Sequence, residues 1–379
     1  MSQIKSNINI IATVGPSSME EKIIKKMDKS GIGVFRINLS HTNISDLKEK
    51  IIKLQSWTNK SIAIDTEGAQ LRTDDLMAGL KKIQLKSHQN IEIVGTDNYS
   101  QKNQIPINQK KITKILKNND LLKIDFDNVI VRITKIIDNV AYAKVVEGGI
   151  VYSNKGISVD RSITLESFTQ KDLEAIKIAN ECKLKTIFLS FCAKGEDVIY
   201  LRKKLNKGVQ IISKVESESG LINLDSICSE SDAILIDRGD LSRDVALEKI
   251  SFAQNYIIER TKVNLTPVYV ATNLMENMIE YNNPTRAEIN DISNLVQSGV
   301  SGLVLAAETA IGKNPIKCTR VLKSIINECI SNETNQNLKS KDNLLKYLLL
   351  PPNNGLIPPH GGNLIQQFFN ESSDKIEKD

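Results

Sequence analysis

Lys214 and Glu216 stand two apart at the end of the β-branched run IISKVES, and Asp240 follows a glycine at the end of the next apolar run, ILIDRGDL. Residues two apart on a strand share a face, so an ammonium and a carboxylate emerge together, and a second carboxylate follows at the tip of the next strand. One cation and two carboxylates at successive strand ends suit a divalent metal and an anionic substrate. The competing reading is a solvated ion pair, the usual fate of Lys and Glu at strand ends.

The elements that must position these groups alternate. Strand-like runs are NINIIATV, GVFRINL, SIAID, TIFLS, VQIISKV, DAILID, PVYVAT and SGLVLAA, and helix-length amphipathic segments such as Ile44–Trp57 and Gln170–Cys182 lie between most of them. Eight strands alternating with helices predict an α/β fold, a closed (β/α)8 TIM barrel. The third strand lacks its helix. From Thr73 to about Asn154 the pattern becomes β-rich, with IQLKS, NIEIVG, DLLKIDF, NVIVRITKII and NVAYAKVV broken by Asn, Asp and Gly turns. The expected organisation is a barrel over 1–73 and 155–331, an inserted all-β unit over 74–154 in the loop after the third strand, and a polar tail over 332–379.

Basic and acidic residues number 50 and 45, and no basic block is interleaved with aromatics, which argues against nucleic-acid binding. Five cysteines, at 182, 192, 228, 318 and 329, have no metal-ligand spacing, and their odd number argues against a disulfide framework. A reducing cytoplasm is the expectation. No apolar run approaches the roughly 20 residues of a membrane span, and the N-terminus has no signal-peptide pattern.

Nine segments, TVGPSS, RINLSH, DTEGAQLRT, GGIVYSNKG, ISKVES, DRGDL, ATNLMENM, PTRAEINDI and AAETAIGKNP, occur in the order of the motif series of pyruvate kinases. The chain resembles that family from its N-terminus to about Cys329. The resemblance implies a catalytic barrel with a β-rich lid, transferring a phosphoryl group between phosphoenolpyruvate and ADP to give pyruvate and ATP in glycolysis. By the same resemblance, Lys214 stabilises the transferring phosphoryl group and the enolate oxygen, and Glu216 and Asp240 bind Mg2+ or Mn2+. Thr272 stands beside the substrate carboxylate and the proton transfer, and Gly239 brings its backbone close to that carboxylate. Arg36 matches the phosphate-binding arginine. Asn38, Ser40, Asp65 and Thr66 match ligands of a monovalent cation, normally K+, and His41, Arg72 and Lys155 match residues near the nucleotide phosphates. Arg36 and Arg72 also read as structural ion-pair partners, and His41 as a packing residue, so both roles stay open here.

The departures cluster near the substrate. DTEGAQLRT stands where the family has DTKGPEIRT, which places Glu67, Ala69 and Gln70 at altered positions, the last one tracking potassium dependence in relatives. Asp237 replaces a small residue before RGD. Pointing inward it sets a third carboxylate near the metal and against the carboxylate of phosphoenolpyruvate; pointing outward it caps a helix or forms a salt bridge. Ser242, Asn273, Ala193, Ala306 and Ala307 differ as well. After Cys329 the family's regulatory domain is expected to be missing, which leaves the usual homo-oligomer open. The segment LIPPHGGNL, at 356–364, is similar to the opening motif of ATP sulfurylases. It reads either as turn punctuation in a tail or as a docking element for a partner in sulfate activation. An altered substrate is the remaining alternative.

Overall fold

The computed structural model describes residues 7–334 apart from 69, 77–79, 81, 96–102, 126–127, 162, 164 and 166. Ala69 and the segment LIPPHGGNL lie outside the described residues. Eight parallel strands close a barrel: β1 (Asn9–Val14), β2 (Ile32–Asn38), β3 (Ser61–Asp65), then, after an insertion, β13 (Thr186–Leu189), β14 (Gln210–Val215), β15 (Ala233–Asp237), β16 (Val268–Ala271) and β17 (Gly302–Leu305). These are the eight apolar runs of the sequence. The seam joins β1 to β17 in the register Asn9↔Gly302. Helices lie between most of the barrel strands, among them Ile44–Trp57 and Gln170–Glu181. The latter starts on a capping box in which Thr169 and Asp172 exchange side-chain and backbone hydrogen bonds. No helix among the described residues is long and apolar enough to cross a membrane.

Between β3 and β13 lie β4 (Leu71–Arg72), β5 (Lys82–Leu85), β6 (Asn90–Gly95), β7 (Gln104–Ile107), β8 (Leu121–Ile124), β9 (Val129–Ile137), β10 (Val140–Glu147), β11 (Gly149–Tyr152) and β12 (Gly156–Val159). Seven form one sheet in the order β4-β12-β8-β9-β10-β6-β7, and β11 pairs with β5. This sheet has its own core, with Ile93, Ile105, Leu122, Val131 and Ile133 buried together. It reaches past 74–154 on both sides, because β4 and β12 pair antiparallel where the chain leaves and re-enters the barrel.

Strand parity sets the site. Ile11, Val34, Ala63, Phe188, Ile212, Ala233, Leu235, Ala271 and Val304 form a core distinct from the one that packs barrel strands on helices. These are the residues that fill the barrel. Two residues further along the same faces come Thr13, Arg36, Asp65, Ser190, Lys214 and Asp237. The apolar filling of the barrel therefore passes into a polar layer at the C-terminal strand ends, the end at which barrel sites are built.

Candidate active site at the barrel mouth

Lys214 is at the centre of this layer. Its Nζ lies 2.7 Å from Glu216 Oε1, 3.3 Å from Asp65 Oδ2, 3.3 Å from Asp237 Oδ2 and 3.4 Å from Ser190 Oγ. Burial alone would lower its pKa, but the charges of Asp65, Glu216 and Asp237 outweigh burial and hold it above the ordinary lysine value. Lys214 is therefore a permanent cation in a site nearly closed to water, where its field is least screened.

Glu216 is 1% exposed, and its Oε2 accepts a hydrogen bond from Phe191 N at 2.6 Å. Phe191 reaches that position with φ +50°, in the left-handed region. Burial, and then repulsion from Asp240, Asp237 and Asp65, raises the Glu216 pKa against the pull of Lys214. Asp240 is half-buried and pairs with Arg243 Nη2 at 2.5 Å. Asp237 points inward, which excludes its reading as an outward cap: it is 5% exposed, and no cap bond is made by its side chain to the short helix Arg238–Leu241. Burial raises its pKa, but Lys214 and then Arg36 overcome that and leave it below the usual carboxylate value.

The structure thus brings together Lys214, Glu216 and Asp240, as the sequence predicts, and adds Asp237 to them. One oxygen each from Glu216, Asp237 and Asp240 lie within 4.8 Å of one another. Asp237 Oδ1 is buried without a hydrogen-bond partner, whereas Glu216 Oε1, also buried, has the Lys214 ammonium 2.7 Å away. Three carboxylates so close together are an oxygen-only donor set that fits a hard divalent cation such as Mg2+ or Mn2+.

Thr272 and Gly239 meet beside this cluster. Thr272 Oγ1 accepts from Gly239 N at 2.9 Å and donates to Ala271 O at 2.6 Å. Gly239 N is therefore engaged by the hydroxyl. Thr272 has φ +69° and Asn273 φ +53°, an unfavourable region for a β-branched residue. Arg238 holds the turn, donating twice to Thr272 O while pairing with Asp291 at 2.6 Å. A Cβ added to Gly239 would lie 3.6 Å from both Asp237 Oδ1 and Thr272 Oγ1, so these groups face one small space.

Arg36 is 2% exposed; it donates to Thr13 Oγ1 from Nε and Nη2, and to Asp65 Oδ2 at 2.9 Å. Among the residues read as monovalent-cation ligands, Asp65 accepts from Ser190 Oγ as well, Thr66 Oγ1 accepts from Ser190 N, and Asn38 Oδ1 accepts from Ser40 N. Asn38 and Asp65 are register partners on β2 and β3. The loop that follows Asp65 hangs from Asp172, which accepts from Glu67 N at 2.7 Å and from Gly68 N at 3.1 Å. Gly68 is needed there: φ is +75°, and a Cβ would meet Ser190 O at 2.8 Å. Glu67 sits 3.7 Å from Lys171, and burial raises its pKa.

His41, Arg72 and Lys155 line a separate cleft of about 370 Å³ with Asp125, Asn154 and Arg243. Lys155 pairs with Asp125 at 3.1 Å, and Arg72 donates to Asn154 O at 2.9 Å. His41 is exposed as a residue, yet desolvation inside the cleft and then the charges of Arg72, Lys171 and Lys155 lower its pKa. A neighbouring cleft of about 530 Å³ runs past Glu216, Asp240, Arg243 and Gln70 to the inserted sheet. Arg243 lines both clefts and donates to Gln70 Oε1 at 3.3 Å.

Sequence reading did not single out Arg243, Asp172, Ser190 or Thr13. Only Asp172 carries a local signal, the Thr-x-x-Asp capping box. Cys192 is buried, and burial pushes its thiol up to about 12, which removes it from the chemistry.

Comparison with known proteins agrees with this geometry. The family described as "Pyruvate kinase, barrel domain" matches residues 5–319. The pyruvate kinase of Thermotoga maritima is 32% identical over 331 residues, covering 84% of this chain and 70% of the relative. That of Thermococcus litoralis is 28% identical, covering 95% and 82%, and that of Clostridium acetobutylicum 31% identical, covering 86% and 71%. Lys214 among its carboxylates, the closed barrel with its inserted sheet and these matches have one common explanation: the chain belongs to the pyruvate kinase family.

Proposed function

We propose that the chain transfers a phosphoryl group between phosphoenolpyruvate and ADP, giving pyruvate and ATP, with the reaction centred on Lys214. The observation that carries this reading is a buried, permanently charged ammonium within 3.3 Å of three carboxylates at the C-terminal strand ends. Phosphoryl transfer is catalysed largely by alignment and charge neutralisation, and Lys214 supplies positive charge for the phosphoryl oxygens and the enolate oxygen. Glu216 and Asp240 hold Mg2+ or Mn2+, which when bound adds Lewis-acid charge neutralisation. Thr272 presents its hydroxyl at the substrate carboxylate and takes part in the proton transfer that turns enolate into pyruvate. Gly239 leaves room there for close approach. Arg36 directs the phosphate, and Asn38, Ser40, Asp65 and Thr66 serve K+. His41, Arg72 and Lys155 contact the nucleotide phosphates, and the inserted sheet acts as a lid over them.

A coupled pyruvate-release assay with ADP and Mg2+, with and without K+, tests this. Turnover that falls at least about 10²–10³-fold in Lys214→Met supports it; no turnover above that variant sinks it. Asp237 favours a second reading, an altered substrate, because its carboxylate faces the space beside Gly239 and Thr272. Thermal-shift comparison of phosphorylated acids decides between them, and preferential stabilisation by phosphoenolpyruvate rejects the second.

A further inference from the structure

We infer that Asp237 is a third protein ligand of the divalent cation, and that the cation is therefore held by the substrate-free chain. The inference rests on the reading of Glu216 and Asp240 as ligands and extends it to a residue whose place in relatives belongs to a small side chain. Three observations carry it.

Parity comes first. Asp237 continues the inward face of Leu235 and ends β15, so its carboxylate enters the same layer as Lys214. Second, Asp237 Oδ1 is buried and has no hydrogen-bond partner, although the residue's other oxygen lies 3.3 Å from Lys214 Nζ; Glu216 is partnered at both oxygens, by Lys214 Nζ at 2.7 Å and by Phe191 N at 2.6 Å. A buried carboxylate oxygen without a partner is costly, and a cation held between Asp237 and the neighbouring Glu216 and Asp240 oxygens removes that cost. Third, Asp240 is drawn toward Arg243 at 2.5 Å, so one of the two expected ligands is shared with a guanidinium. Asp237 supplies the charge that this sharing withdraws.

The consequence concerns when the ion binds. Mg2+ is usually held by one or two carboxylates and completed by substrate phosphates. A site with three carboxylates has more of its ligand charge in the protein and depends less on the substrate. The bound ion also offsets the negative charge that Asp237 would otherwise present to the carboxylate of phosphoenolpyruvate beside Gly239.

The test is titration of the substrate-free full chain with Mn2+, with free ion followed by electron paramagnetic resonance, for the unaltered chain and for Asp237→Ala, Asp237→Asn and Glu216→Gln. Saturable binding by the unaltered chain is expected. Asp237→Ala should weaken it about 10–100-fold, by comparison with losses on removing groups that support a metal site. Asp237→Asn, nearly isosteric, should weaken it less and stands in if the alanine variant does not fold. Unchanged Mn2+ affinity in the Asp237 variants, with a loss in Glu216→Gln, overturns the role of Asp237 and leaves the metal reading standing. Unchanged affinity in Glu216→Gln, or no binding by the unaltered chain, overturns the metal reading itself and this inference with it.

Discussion

Around Lys214, buried cations and carboxylates stand on strand tips a few ångströms apart, whereas His41, Arg72 and Lys155 line an open cleft at the joins between barrel and inserted sheet. The first region is rich in carboxylates and closed; the second is rich in cations and partly wet. The difference indicates what each can receive. A closed acidic layer favours a small, strongly charged cation whose position must be fixed to a fraction of an ångström. An open basic cleft favours a flexible polyanion that must enter and leave. Ion pairs differ accordingly: Arg36–Asp65 side chains are 3% and 1% exposed, and Lys155–Asp125 side chains 40% and 19%.

This contrast can be broken most directly at Asp65. Asp65→Ala leaves Arg36 and Lys214 short of a buried partner, and urea unfolding should show a loss of about 3–5 kcal/mol. A loss under about 1 kcal/mol would mean that the layer is not closed. Arg72→Ala should raise the KM for ADP about tenfold, from loss of a charged contact, while the KM for phosphoenolpyruvate changes little; equal effects on both would merge the two regions. Asp125→Ala should change stability by no more than about 1 kcal/mol, because its pair with Lys155 is partly solvated.

The smallest effect sharpens the picture of the basic cleft. His41 has a folded pKa below its unfolded value. Between those values the unfolded chain binds more protons, so stability rises with pH through that window and is lost as pH falls through it. Below about pH 6.5, the ordinary His value, the pH dependence of unfolding should be shallower in His41→Gln. An unchanged slope would show that neither desolvation in the cleft nor the neighbouring cations act on the ring.

Much of the fold could be read because it is periodic. Each barrel strand is an apolar run with turn residues at its ends, and the predicted helix Ile44–Trp57 has the observed limits. Within the insertion, β7 escaped notice because Pro106 interrupts a very short run. β4 lies inside DTEGAQLRT and β12 begins at the last residue of GGIVYSNKG, two segments whose residues read as chemistry and not as strands, so the pairing of these two short strands has no separate signal. In the site, Lys214 and Glu216 followed from spacing, but Asp237 did not. AILID is apolar at every position before the aspartate, so parity alone could not say which face turns inward. Arg243, Ser190 and Thr13 act across long sequence separations, as in Arg243 to Gln70 and Ser190 to Asp65, and no local pattern announces such partners.

The seam between β1 and β17 has a bearing on how the chain reaches this state. Asn9 waits for Gly302 and Ala12 for Leu305, so the earliest strand to be synthesised finds one of its two neighbours only when nearly all of the described chain has emerged. Until then β1 has an open edge, a template for mispairing with other chains, and a contact of such long sequence separation forms slowly. During biogenesis, then, the barrel is most vulnerable at its first strand, and any shortening of the chain that removes Gly302–Leu305 would make that vulnerability permanent.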